Sequence, residues 1–283
     1  MLGLFNTKTD LTHVLKSVTD ILVLDVYIDP HPDLSGLFID WIPDKSDSKF
    51  AMQGIYVEHY AKAGVPIVIF DRFLALNNTE YSWLKKFNIT FCEPVLKCRP
   101  GFQWFPMWVE VPFKYEKSDS RKYVLTYNGS INDRIAGVDK YYKQASVLLP
   151  TKEISICSND ITDLKSEELK KQGMVRTLDS QYSNASSTVL IGSDEDYTNG
   201  RLPNDLFDIM RSGCVPLLPI EHRFYCGGFD DYIIRNNKDL EFLLSMSANY
   251  GGVLIEGLME QLVRQFPEFD INFAVEKIKG LLI

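Results

Sequence analysis

Twice along this chain, short apolar runs alternate with segments whose apolar residues recur at helical spacing. A polar, charged stretch separates the two series, and few layouts accommodate that pattern. In the first series, ILVLDVYID (21–29), VPIVIFDR (65–72) and NITFCEP (88–94) are strand-length runs rich in β-branched residues. Between them, AMQGIYVEHYAKAG (51–64) reads as a helix stopped by Gly64, and EYSWLKKF (80–87) as a shorter one. Strands apolar on both faces and alternating with helices predict a parallel sheet covered on both sides.

The aromatic, proline-punctuated GFQWFPMWVEVP (101–112) leads into FKYEKSDSRKY, whose polarity marks a linker. The second series then begins. YVLTYNGS (123–130) runs from a strand into a glycine turn, NDRIAGVDKYYKQAS (132–146) is the helix after it, and KEISICS (152–158) and STVLIGS (187–193) are further strands. From Asn236 onward the pattern is helical. The expected organisation is an α/β domain over 1–112, a linker over 113–122 and a second α/β domain over 123–283. With two such domains facing each other, the cleft beyond the carboxyl ends of the strands is the expected ligand site.

Composition narrows the class. At 45% hydrophobic and 24% charged the 283 residues suit a sizeable core, and the longest apolar runs are far too short to span a bilayer. MLGLFNTKTD lacks a basic start and a continuous apolar stretch, so the expected compartment is the cytoplasm, or the host cytoplasm for a viral protein. The five scattered cysteines form no CxxC pair and no metal-ligand spacing with the histidines, and read as reduced thiols. The net charge of −8 argues against a protein that coats nucleic acid unselectively. Its distribution is uneven, because residues 1–60 are strongly acidic while 84–122 are basic. In that basic stretch Lys114, Lys117, Arg121 and Lys122 are candidate nucleic-acid contacts, or solvated linker charge.

The most organised run is NGRLPNDLFDIMRSGCVPLLPIEHRFYCGG (199–228). Pro203 suits a first helical turn, Leu206, Ile209 and Met210 share one face, and Gly213 fits the position that ends the helix. Packing does not explain the polar entrance. A helix N-terminus after a glycine favours phosphate, and Arg201 adds a planar fork suited to a diphosphate. Arg201, Leu202 and Asn204 are therefore candidate donor-binding residues. DIMRSGCVPLLP (208–219) resembles the EAMAxGxPV segment in the C-terminal domain of GT-B glycosyltransferases. That resemblance implies two Rossmann-like domains and a nucleotide-sugar donor, with UDP favoured. It also implies that a carboxylate five residues before the glycine, here Asp208, binds the ribose. YVLTYNGSINDR is similar to the family's first C-terminal strand and turn, which implies that Asn128, Gly129, Ser130 and Arg134 lie near the diphosphate. Retaining members often carry a glutamate where this chain has Gly200, and the run has one extra residue between Gly213 and Pro216, so stereochemistry stays open.

Glycosyl transfer needs a stabilised leaving diphosphate and an oriented acceptor hydroxyl. GT-B enzymes usually achieve the first with basic side chains and helix dipoles, so no metal and no cofactor beyond the donor are expected. DED (194–196), the only DxD-like candidate, reads rather as a solvated loop. For the acceptor side, Asp71, Asp29 and His31 are candidate catalytic residues at strand carboxyl ends, with Glu93 and Arg72 beside them. Asp71 could equally cap the next segment, and Asp29 could only shape a turn. The expected reaction is hexosyl or pentosyl transfer to a glycan, a small molecule, or hydroxymethylated cytosine in double-stranded DNA, as in bacteriophage DNA glycosyltransferases, which the chain resembles in size and style. The alternative is a two-domain protein that binds a ligand without reacting it.

Overall fold

The chain divides into two units, Met1–Val111 with Pro267–Ile283, and Pro112–Phe266. The structure, a computed structural model, describes residues 1–25, 29–108, 113–117, 121–158, 167–174, 181–203, 205–225 and 229–282. The sequence expectations for 26–28, Asn204 and Cys226 lie outside those residues, as do 109–112 and 118–120 near the expected linker.

The first unit begins β1 (Leu2–Phe5), α1 (Thr9–Val18), β2 (Ile21–Leu24) and β3 (Gly36–Asp40). It continues α2 (Ser48–Lys62), β4 (Ile67–Phe70), α3 (Asn78–Leu84), β5 (Ile89–Glu93) and β6 (Phe102–Trp104). The sheet is parallel throughout, in the order β2-β1-β3-β4-β5-β6. Alternating side chains fill its two faces, as strand geometry requires. Leu37, Ile39, Ile67 and Ile69 join Tyr56, Val57 and Tyr60 of α2 in one core. Phe38 and Phe70 point the other way, to Phe105 at ring distances of 5.8 and 5.1 Å. The run expected as a strand over 21–29 is β2 up to Leu24, and it forms a sheet edge, which leaves Val23 exposed.

The second unit contains β7 (Tyr123–Asn128), α4 (Ile135–Leu148), β8 (Ile154–Cys157), α5 (Glu167–Gln172), β9 (Gly173–Met174) and β10 (Ala185–Val189). It then contains α6 (Asp194–Asn199), α7 (Leu206–Arg211), β11 (Val215–Pro219), β12 (Ile233–Ile234) and α8 (Asn237–Gln265). This sheet too is parallel, in the order β12-β11-β10-β7-β8-β9. The strand order reverses between β7 and β10, the doubly wound arrangement whose switch point opens a crevice at the carboxyl ends. Cys92, Cys157 and Cys214 are buried and form no disulfide among the described residues.

The last helix, α9 (Ile271–Leu282), packs on α1, β3 and β4 of the first unit. The expected second domain over 123–283 therefore differs at its end, because an amphipathic helix goes where an apolar sheet face needs covering. Gly36 marks the contact. A Cβ there would stand 2.8 Å from both the Cβ and the carbonyl of Leu282. Among the described residues no helix is long and apolar enough to cross a membrane.

Candidate functional site

At the carboxyl end of the second sheet, a cavity of about 350 Å³ opens beside the β7–β10 switch point. Its wall includes Asn128 and Gly129 at the end of β7, Arg134 at the entry to α4, Tyr182 before β10, and Asp196 of α6. Arg201, Pro203 and Asp205, between α6 and α7, complete it. Four residues expected on the donor side, Asn128, Gly129, Arg134 and Arg201, are thus brought together from separate segments.

The glycine turn is held from below. The Tyr127 hydroxyl donates to the Ser130 carbonyl, and the Gly129 N–H donates to Cys157 O at 3.1 Å. Burial pushes the Tyr127 phenol up to about 12, with the Arg134 guanidinium opposing. Arg134 is partly buried, and its Nε–H has no hydrogen-bond partner among the described residues.

The DED stretch departs from the expected solvated loop. It starts α6, with a reciprocal capping box in which Ser193 N–H donates to Asp196 Oδ2 at 2.9 Å and Asp196 N–H donates to Ser193 Oγ at 3.2 Å. Asp196 is buried and accepts from Arg201 Nη1 at 3.2 Å. Gly200, with φ 68°, ends α6 and turns the chain back, so that Arg201 N–H reaches Asp196 O at 2.9 Å. Among the described residues no cluster of three His, Cys, Asp or Glu side chains could hold a metal ion.

Three expected donor residues fall elsewhere. The side chain of Asp208 is 56% exposed and pairs with Arg211 at 2.8 Å, because its place on α7 faces solvent. Leu202 is buried and does not line the cavity, and Ser130 is exposed with its carbonyl taken by Tyr127. The fourth, Asn204, lies outside the described residues. Sequence reasoning missed Asp205 and Tyr182. Asp205 precedes α7 at the N-cap position yet makes no capping bond. Its Oδ2 instead accepts from the Tyr182 hydroxyl at 2.7 Å, and the same hydroxyl lies 3.1 Å from Asn128 O. An aspartate just before a helix was the available signal, whereas Tyr182 had none.

A larger cavity, about 880 Å³, lies at the opposite, amino end of the same sheet, against the start of β7 and β10. Lys117, Arg121 and Lys122 line it, and Lys114 does not. The Arg121 guanidinium is committed to the main chain, donating to Ser183 O and, at 3.3 Å, to Glu116 O. Size alone does not make this the reaction site, because parallel sheets present functional groups at carboxyl ends.

In the first unit, Asp71 follows β4 but is closed off. It is 1% exposed, its Oδ1 accepts from Ala75 N–H at 2.9 Å, and its Oδ2 accepts from Leu76 N–H and Arg99 Nη2 at 2.8 and 2.7 Å. Glu93 is buried on Arg99 at 2.6 Å, and Arg72 on Asp40. These groups pin the loops after β4 and β5. Burial raises the Asp40 carboxyl against the opposing pull of Arg72. Asp29 is exposed beyond the end of β2. His31 Nδ1 accepts from Asp33 N–H at 3.2 Å, and its own N–H donates to the Tyr60 hydroxyl at 2.7 Å.

No family model matches the sequence, and no curated protein does. Solved structures do match. T4 phage beta-glucosyltransferase is similar over 99% of both chains, with a TM-score of 0.63 at 12% identity. A Thermobaculum terrenum O-GlcNAc transferase mutant is similar over 99% of this chain and 66% of its own, with a TM-score of 0.52 at 8% identity. Both neighbours are GT-B glycosyltransferases, and the two parallel-sheet α/β units of this chain have their fold.

Proposed function

We propose that the protein is a glycosyltransferase that moves a sugar from a nucleotide-sugar, UDP-linked in the favoured reading, to an acceptor hydroxyl. One observation carries it. Arg134, Arg201 and Asp205 converge on a cavity at the switch point of a doubly wound sheet, inside a GT-B fold. Two guanidinium groups suit a diphosphate, whose charge grows as the glycosidic bond breaks. In this reading Asp205, which lines the cavity, rather than the exposed Asp208, accepts from the ribose hydroxyls. Its Oδ2 is held by Tyr182, and no other hydrogen bond from a described residue engages the carboxylate. The reading needs no cofactor beyond the donor.

For the acceptor step, Asp29 with His31 is the proposed base, since both oxygens of Asp71 already accept hydrogen bonds. Hydroxymethylated cytosine in duplex DNA is the acceptor to test first, with the exposed Lys114, Lys117 and Lys122 as phosphate contacts. A thermal-shift screen against UDP- and GDP-sugars tests the donor. Stabilisation by one nucleotide, followed by slow hydrolysis of its sugar conjugate, is the expected result. No stabilisation by any nucleotide overturns the reading, and stabilisation without hydrolysis or transfer leaves the non-catalytic alternative. Transfer to hydroxymethylated duplex, against glycans and small alcohols, decides the acceptor.

A further inference from the structure

The Asp196 carboxylate stands between the two arginines of the cavity, 3.2 Å from Arg201 Nη1 and 4.0 Å from Arg134 Nη2, with 7% of its side chain exposed. We propose that Asp196 is a positioning residue for transfer, aiming both guanidinium groups at the leaving diphosphate. This rests on the donor reading above and adds a residue to it.

Capping alone does not account for the charge. A capping box needs only an acceptor at the third helical position, and a neutral amide serves as well. Capping engages Oδ2 through the Ser193 N–H, while Oδ1 takes Arg201. A buried carboxylate is costly unless it is paired and hydrogen-bonded, and both cationic partners of this one line the cavity.

The geometry ties main chain and side chain together. Because Gly200 ends α6 in the left-handed region, Arg201 is anchored on Asp196 twice, by its N–H on the carbonyl and by its guanidinium on the carboxylate. Arg134 meets the same carboxylate only at ion-pair range, and its buried Nε–H is without a hydrogen-bond partner among the described residues. One carboxylate thus offsets the repulsion of two neighbouring cations and fixes their angle, while the three groups keep a net positive charge toward an incoming anion. Such an arrangement acts on the transition state more than on ground-state affinity, because its worth lies in geometry already set when leaving-group charge develops.

The test compares Asp196→Asn with Ser193→Ala, using hydrolysis of the donor sugar that the wild-type protein accepts, UDP binding by calorimetry, and thermal unfolding. Asp196→Asn keeps an acceptor for the cap and loses the ionic hold. Its kcat is expected to fall about tenfold or more, while UDP affinity changes by less than about threefold. Ser193→Ala loses the cap and keeps the charge, so it is expected to lower Tm and leave kcat unchanged. Equal kcat in Asp196→Asn and wild type overturns the proposal. So does an equal loss of kcat in Ser193→Ala, which would assign the effect to the helix end. If Asp196→Asn does not fold, Asp196→Glu, which keeps the charge and displaces it by one bond, is read for the same split between kcat and affinity. A Glu variant with wild-type kcat then overturns the proposal. Failure of the donor reading is separate, since the wild-type protein would then bind no nucleotide at all.

Discussion

Asp208 and Asp205 stand three residues apart, yet only the second reaches the cavity. Asp208 lies within α7 on its solvent side and pairs with Arg211, whereas Asp205 precedes the helix and meets Tyr182. We predict that Asp205→Ala weakens UDP binding roughly tenfold, the usual worth of a hydrogen bond to a charged group. Asp208→Ala is expected to leave UDP binding unchanged and stability within about 0.5 kcal/mol, since exposed ion pairs contribute little. Calorimetric titration with UDP and with its 2′-deoxy analogue checks both, and equal effects of the two variants would refute the ribose assignment. The spacing from glycine pointed to Asp208, whereas the carboxylate that lines the cavity is that of Asp205. A count along the chain does not report which way a residue faces at a helix entrance.

At the scale of elements, Gly213 shows why the α7–β11 turn is built as it is. Its φ of 75° is one that side-chain-bearing residues avoid, and a Cβ there would stand 2.2 Å from Glu116 O. The turn is where residues 116 and 121 dock, with Glu116 N–H donating to Arg211 O at 2.7 Å. Gly213→Ala should therefore destabilise the protein by about 2 kcal/mol or more, measured by denaturant unfolding, because strain and a backbone clash add. The loop after β11 carries a pH signature. His222 is 2% exposed, its Nε2–H donates to Leu190 O at 2.9 Å, and burial lowers its pKa. Below about 6.5 the unfolded chain takes up a proton that the folded state resists, so stability falls as pH drops from there toward the depressed folded value. Thermal unfolding between pH 7.5 and 5.5 should show this fall. His222→Gln, which keeps an N–H for Leu190, should show less of it.

Across the whole molecule, the chain leaves the first unit, builds the second and returns with α9 to cover the first sheet. Ile278 is fully buried in that return. Ile278→Ala is expected to cost about 3 kcal/mol, the range for buried aliphatic truncations, and to act on the unfolding of the first unit alone. Scanning calorimetry with nucleotide present, which selectively raises the transition of the unit that binds it, separates the two transitions. A single transition shifted as a whole by Ile278→Ala would contradict independent units.

The sequence by itself determined the class of both sheets, because β-branched runs that are apolar on both faces can be buried only between layers of helices. It also determined the glycine turn after β7 and the helix–glycine–strand unit around α7, since glycine and proline constrain backbone angles locally. The shortest elements escaped it. β1 has four residues, and β3 has five that lie between turn-forming neighbours and carry no period of their own. What only the tertiary structure decided was partnership. It closed Asp71 and Glu93 around Arg99, turned DED from a loop into a capped helix carrying a buried charge, joined α9 to a sheet more than two hundred residues earlier in the chain, and set Asp205, not Asp208, against Tyr182. The reason is physical. Hydrophobic periodicity is a local property of the chain, while the pairing of a charge depends on which distant segment is folded against it.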